Sequence, residues 1–157
     1  MVSQNTLDIY NLLLSGKKLW EKWRLAYADV QAYEPDLHGA KLRGAELYGY
    51  DLHKADLTES DLQEANLQEV DLREADLRHA DLRNADLSDA NMQKANLRGA
   101  DLRGAHLCRA NLKGADLSNT DLRGADVEGA ILARAKLDGA KMPGVVPKKT
   151  VGVEIIG

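Results

Sequence analysis

The chain has 157 residues, 44% of them hydrophobic, with no Phe and only two Trp; its apolar supply is overwhelmingly Leu and Ala, which suits a narrow interior built from one large and one small residue repeated many times. A net charge of −4 gives no general attraction to nucleic acid or to an anionic membrane, and a single cysteine, Cys108, excludes an internal disulfide framework. The start lacks the basic and apolar segments of a secretory signal and no run approaches the roughly 20 apolar residues of a membrane span, so a soluble cytoplasmic protein is expected.

Two helices are expected first. Asn5 is placed as an N-cap, Leu7, Ile9, Tyr10, Leu12, Leu13 and Leu14 supply a short buried helix, and Gly16 stops it. A second helix is expected from about Lys17 to Tyr33, with Trp20, Trp23, Tyr27 and Val30 on one face and Lys17, Lys18, Glu21, Lys22 and Arg24 on the solvated side. Pro35 forbids its continuation. Because a repeat stack needs a cover at its open end, Trp20, Trp23 and Tyr27 read as a hydrophobic cap rather than as a ligand groove.

From Asp36 to Met142 every fifth residue is Leu, Met or Val: 22 units, 19 with Leu at the centre and the others with Met92, Val127 and Met142. Almost every residue two places earlier is Ala. A period of five fits neither an alternating strand nor a 3.6-residue helix, so the chain must turn once per unit. With Ala and Leu inward, the Asp or Asn between them points out and the last two residues form a corner. One 20-residue coil buries about four Leu, worth ~6 to 12 kcal/mol, against ~20 to 40 kcal/mol of backbone ordering. Stability must therefore come from coils stacked on one another, in a solenoid.

The runs ANLRGADLRGA (95–105) and ADLRHADLRNADL (75–87) resemble the pentapeptide repeat family, and the likeness covers 107 of the 157 residues. It implies an all-β solenoid, a right-handed quadrilateral β-helix with four repeats per coil and about five coils. Its core would hold Leu57, Leu62, Leu67, Leu72, Leu77, Leu82, Leu87, Met92 and Leu97. The segment LLSGKKLWEKWRLAY (13–27) is similar to ones that precede other arrays of this family, especially from cyanobacteria. The expected organisation is a helical cap over 1–35, the β-helix over 36–142, and a β-prone tail over 143–157 that caps the last coil or pairs with an edge.

Four repeats per coil would stack residues 20 apart. One inward column would be Tyr50, Val70, Ala90, Ala110 and Ala130, widening the interior near the N-terminal end. Outside, Arg43, Gln63, Arg83, Arg103 and Arg123 would run beside Lys41, Asp61, Asp81, Asp101 and Asp121, a self-neutralised stripe without aromatics that does not favour direct nucleic-acid binding. Glu59, Glu64, Glu69 and Glu74 are four successive corners and would ring one coil with carboxylates. Residues 36–90 carry 14 acidic and 6 basic residues, net −8, and residues 91–142 carry 6 and 9, net +3. The ring is either solvating surface or a docking surface for a basic protein partner. Corner glycines begin and end the array but are missing from Lys54 to Lys94, which predicts a different turn geometry in the middle.

No catalytic pattern overlays the repeats. The Asp and Asn residues suit a structural role at the turns, and a convex rod offers no cleft for paired carboxylates. His38, His53, His79 and His106 fall in different columns, so no metal or cofactor site is expected, and Cys108 reads as a bystander more readily than as a reactive or metal-binding thiol. The reading is a non-enzymatic structural or protein-interaction module, a monomer or weak dimer whose partner protein is unknown. The alternative implied by the resemblance is a DNA mimic that binds a type II topoisomerase, gyrase.

Overall fold

The computed structural model describes residues 4–26 and 34–144. Helices α1 (Gln4–Leu14) and α2 (Lys17–Ala26) precede an unbroken array in which each five-residue unit contributes one bridging residue and one turn. α1 begins ahead of Asn5. Gly16, at φ 105°, occupies the break between the helices, a conformation that favours glycine. The expected stretch of the second helix from Tyr27 to Tyr33, and the tail from Val145 onward, lie outside the described residues.

Every bridge is parallel and joins residues 20 apart, from Asp36 with Asp56 to Asp121 with Lys141. Twenty residues make four units, so each coil has four sides and every side is a short parallel ladder of about 4.8 Å rise. The inward residues close the core: Leu57, Leu62, Leu67, Leu72, Leu77, Leu82, Leu87, Met92 and Leu97 are all fully buried, as are the alanines between them. Tyr50 and Val70 head the inward column that continues as Ala90, Ala110 and Ala130. Ser60 and Thr120 take alanine positions in the same interior, where their hydroxyls donate to the carbonyls of Leu57 (2.7 Å) and Leu97 (2.9 Å). A buried hydroxyl is tolerated there because the coil supplies an acceptor.

The unit Asp61-Leu62-Gln63-Glu64-Ala65 shows why five residues suffice. Asp61 N–H donates to Ala40 one coil back, Leu62 N–H to Asp81 one coil on, Glu64 N–H to Arg83, and Ala65 N–H to Leu62 across the turn. The fifth donor, Gln63 N–H, goes to the side chain of Asp61 (3.3 Å). All five main-chain donors of the unit are satisfied, four by backbone and one by the bridging carboxylate.

The turns do not change in the middle of the array, contrary to the expectation from glycine placement. Corners Lys54 to Lys94 have φ between 55° and 59°, beside 61° to 72° for the corner glycines from Gly39 to Gly139. Left-handed backbone costs an L residue roughly 1–2 kcal/mol. From Lys54 to Lys94 it persists because each of these corner N–H groups bonds to a carbonyl of the next coil, so the stack over-determines the turn whatever the side chain.

At the N-terminal end Ile9, Leu13 and Trp20 join the core of the first coil. The Tyr10 hydroxyl donates to the carbonyl of Lys41 (2.9 Å) and the Trp20 indole N–H to that of Asp51 (2.7 Å). Trp23 stacks against Trp20 at 5.1 Å between ring centroids; Tyr27 lies outside the described residues. At the other end Leu137, Ala140 and Met142 are only partly covered. No helix among the described residues is long and apolar enough to cross a membrane.

Candidate interaction surface

The outward residues are positioned by the bridging Asp and Asn. Sixteen of the 22 bridging positions carry one, and in all sixteen the side-chain oxygen accepts the N–H two residues on. These oxygens therefore serve the turn first. Where the following outward residue is Arg, the same carboxylate also binds the guanidinium: Asp71 with Arg73, Asp76 with Arg78, Asp81 with Arg83, Asp101 with Arg103 and Asp121 with Arg123, at 2.6 to 2.7 Å. Hydrogen bonds from Arg83 and Arg103 hold the carboxyls of Asp81 and Asp101 below the usual carboxylate range. Most of the stripe neutralises itself, and Arg43 departs from it by reaching the corner Glu64 at 2.6 Å.

The four corner glutamates surround the second coil and are all exposed. They are not equivalent. Glu64 is held by Arg43, and Glu69 accepts the Tyr48 hydroxyl, a bond that raises the Tyr48 pKa. Among the described residues Glu59 and Glu74 form no ion pair. Within the described residues the ring thus keeps two exposed carboxylates outside any ion pair.

Cys108 donates its thiol to Asp126 (3.1 Å). Burial, and then the Asp126 carboxylate, push its pKa up to about 11, which keeps the sulfur protonated and a poor nucleophile.

A grouping that the histidine columns did not reveal is Asp51, His53 and Asp71, whose ligand-type atoms lie within 4.8 Å of one another. The Arg24 guanidinium of α2 occupies it, contacting both carboxylate oxygens of Asp51 (3.4 Å), both ring nitrogens of His53 and the His53 carbonyl (3.2 Å). His53 Nδ1 lies 2.5 Å from Asp51. Burial works to raise the Asp51 pKa, but the bonds from His53 and the charge of Arg24 outweigh it and the net shift is downward. Asp71 is held by Arg73 (2.6 Å), so both carboxylates already have a resident cation, and Arg24 ties α2 to the coil. Only the long-range position of Arg24 brings it there, so no spacing in the sequence signalled it.

The Pentapeptide repeats family matches in eight copies, over residues 36–73, 71–107, 90–129 and 110–146. The chain belongs to the pentapeptide repeat family. Among solved structures this pentapeptide repeat chain is similar to a pentapeptide repeat protein (Rfr23) from the cyanobacterium Cyanothece 51142. That pair shares 31% identity over 84% of this chain and 97% of the other, with a TM-score of 0.55. It is also similar to HetL, a pentapeptide repeat protein involved in heterocyst differentiation regulation from Nostoc sp. strain PCC 7120, at 34% identity over 71% of this chain and 61% of that one, TM-score 0.43. QnrB1, a plasmid-mediated fluoroquinolone resistance protein, matches at 22% identity over 63% and 56%, TM-score 0.32. No curated protein matches. Pentapeptide repeat neighbours imply a right-handed quadrilateral winding.

Proposed function

We propose that this pentapeptide repeat protein is a non-enzymatic, cytoplasmic interaction module that presents the acidic ring Glu59, Glu64, Glu69 and Glu74 to a basic surface of a partner protein. The observation that carries this is that, among the described residues, Glu59 and Glu74 form no ion pair and stand at exposed corners of a rod on which repeated Asp and Arg neighbours bind each other. Unpaired charge at rigid, evenly spaced corners is pre-organised for electrostatic docking. In this reading residues 1–35 act as the cap of a β-helix over 36–142, with Trp20 and Trp23 sealing the first coil. Among the described residues the interior is filled by buried Leu and Ala side chains, which supports a binding role over a catalytic one. DNA mimicry toward gyrase is less well supported, because repeated Asp and Arg pairs interrupt the negative stripes that such a mimic requires.

Affinity capture from native lysate tests the reading with the intact protein beside a variant carrying Glu59, Glu64, Glu69 and Glu74 all changed to Lys. A partner retained by the intact chain and lost by the folded variant is the expected result. Equal capture by both would reduce the ring to a solvating surface, and inhibition of supercoiling by the intact protein would restore mimicry.

A further inference from the structure

On the face built from Asp51, Asp71, Asn91, Asn111 and Ile131, the bridging acid is lost halfway down. From Asn91 on, that face and its corner carry Gln93, Lys94, Lys113, Ala133 and Arg134 without one carboxylate. Round the corner, Asn96 likewise replaces the Asp that pairs with Arg at five other units, and Arg98 follows it. Asn96 and Asn111 still accept the N–H of Arg98 (3.3 Å) and Lys113 (3.2 Å), so the turn is served as before. What the exchange of Asp for Asn removes is only the counter-charge. Among the described residues Lys94, Arg98, Lys113 and Arg134 form no ion pair, although the other arginines of the array do.

The neighbouring acids do not cancel this strip. Asp71, Asp76 and Asp116 are held by Arg73, Arg78 and Lys136 (3.4 Å), Glu74 lies one coil above Lys94 without closing an ion pair, and Asp138 lies on the last coil. Beside Arg98 the surface sinks into an open depression of about 520 Å³ walled by Arg78, His79, Asn96, Asn119 and the carboxylate of Asp116, which Lys136 holds. Its edge is rich in hydrogen-bond donors. Ile131 and Ala133, half-buried on the last turns of the same face, add apolar surface at the lower end.

We infer that this corner, centred on Arg98, Lys113 and Arg134, is a second docking site of opposite sign, which binds an acidic polypeptide segment through its carboxylates. Two coils separate Lys94 from Arg134, about 10 Å at the ladder spacing, comparable to a few residues of extended chain with carboxylates on alternate positions. A strip this short spans few phosphates and, among the described residues, carries no Phe, Tyr or Trp for base stacking, so a peptide fits it better than nucleic acid.

The test restores the missing acids. In N96D/N111D the new carboxylates keep the turn bonds and engage Arg98 and Lys113 as Asp101 engages Arg103, leaving the melting temperature within a few degrees of the parent. Fluorescence anisotropy with a labelled oligoglutamate peptide at low salt should show saturable binding by the parent and about tenfold weaker binding by N96D/N111D. R83Q/R103Q, which removes paired cations from another face, should bind like the parent. Absence of saturable binding, equal affinity of N96D/N111D and parent, or an equal loss in R83Q/R103Q overturns the site. Tighter binding of an oligonucleotide duplex, abolished by N96D/N111D, overturns the assignment to a peptide.

Discussion

The indole N–H of Trp20 donates to the carbonyl oxygen of Asp51 at 2.7 Å, joining helix α2 to the first coil at the residue where Arg24 and His53 also converge. Trp20 is fully buried and the bond itself partly so. Trp20→Phe, which keeps most of the apolar area and removes the donor, should cost about 0.5–1.5 kcal/mol. Trp20→Ala should cost about 3–5 kcal/mol and uncover the first coil. Circular dichroism followed through a thermal melt checks this: in the Ala variant the helical signal should be lost before the coil melts.

Inward and outward positions should differ sharply in energy. Leu87 is fully buried in mid-array, and Leu87→Ala should cost about 2–5 kcal/mol. Arg83 is bonded to Asp81 on the outer face and only half-buried, and Arg83→Ala should cost no more than about 1 kcal/mol. Equal shifts in denaturant midpoint would contradict the burial pattern.

Corner glycines separate backbone cost from crowding. Gly44, at φ 64°, has nothing within contact of an added Cβ, so Gly44→Ala should lose roughly 1–2 kcal/mol from the left-handed backbone alone. At Gly104 the added methyl would run into the Asn84 side-chain oxygen and force it to move, so Gly104→Ala should lose more. Denaturant titration of the two variants gives the difference.

Acid should destabilise the rod from a defined pH downward. A carboxyl whose folded-state pKa lies below its unfolded value contributes stability above that unfolded value, and the contribution is lost as pH falls through the folded one. Asp81 and Asp101 are of this kind, through their bonds to Arg83 and Arg103. The melting temperature should therefore hold down to about pH 5 and fall below about pH 4, near the unfolded Asp value. Added salt should flatten the fall, because these pairs face solvent.

With its pKa near 11, Cys108 should be alkylated slowly at about pH 8, where only on the order of a thousandth of it is thiolate. Asp126→Asn retains an oxygen for the turn and removes the negative charge, so it should speed the reaction. Kinetics of thiol labelling on the folded protein measure both.

The period of five and the Leu and Ala identities were sufficient to read the solenoid from the chain, because burial at this density leaves one arrangement for so short a repeat. The corner geometry is not legible from glycine placement. Absence of glycine from Lys54 to Lys94 suggested another turn, but cross-coil bonds impose the same left-handed corner on Lys, Glu, His, Asn and Asp alike. The contacts of Arg24 with Asp51 and His53 were hidden for a different reason: they join residues nearly 30 apart across the boundary between helix and coil, where no periodicity operates. The uncompensated strip was visible as Asn96 before Arg98 and Asn111 before Lys113. It gained meaning only once the turn bonds showed that Asn and Asp serve the backbone equally.

A four-sided coil of identical steps makes the length of an insertion or deletion a rotation. Loss of one five-residue unit would carry every later side chain a quarter-turn round the axis, bringing Arg98 and Lys113 under different neighbours while leaving the hydrogen-bonded ladder intact. Loss of 20 residues would keep every compass direction and shorten the rod by one storey. Lineages of such a chain can thus re-aim a surface without redesigning it, by counting in fives.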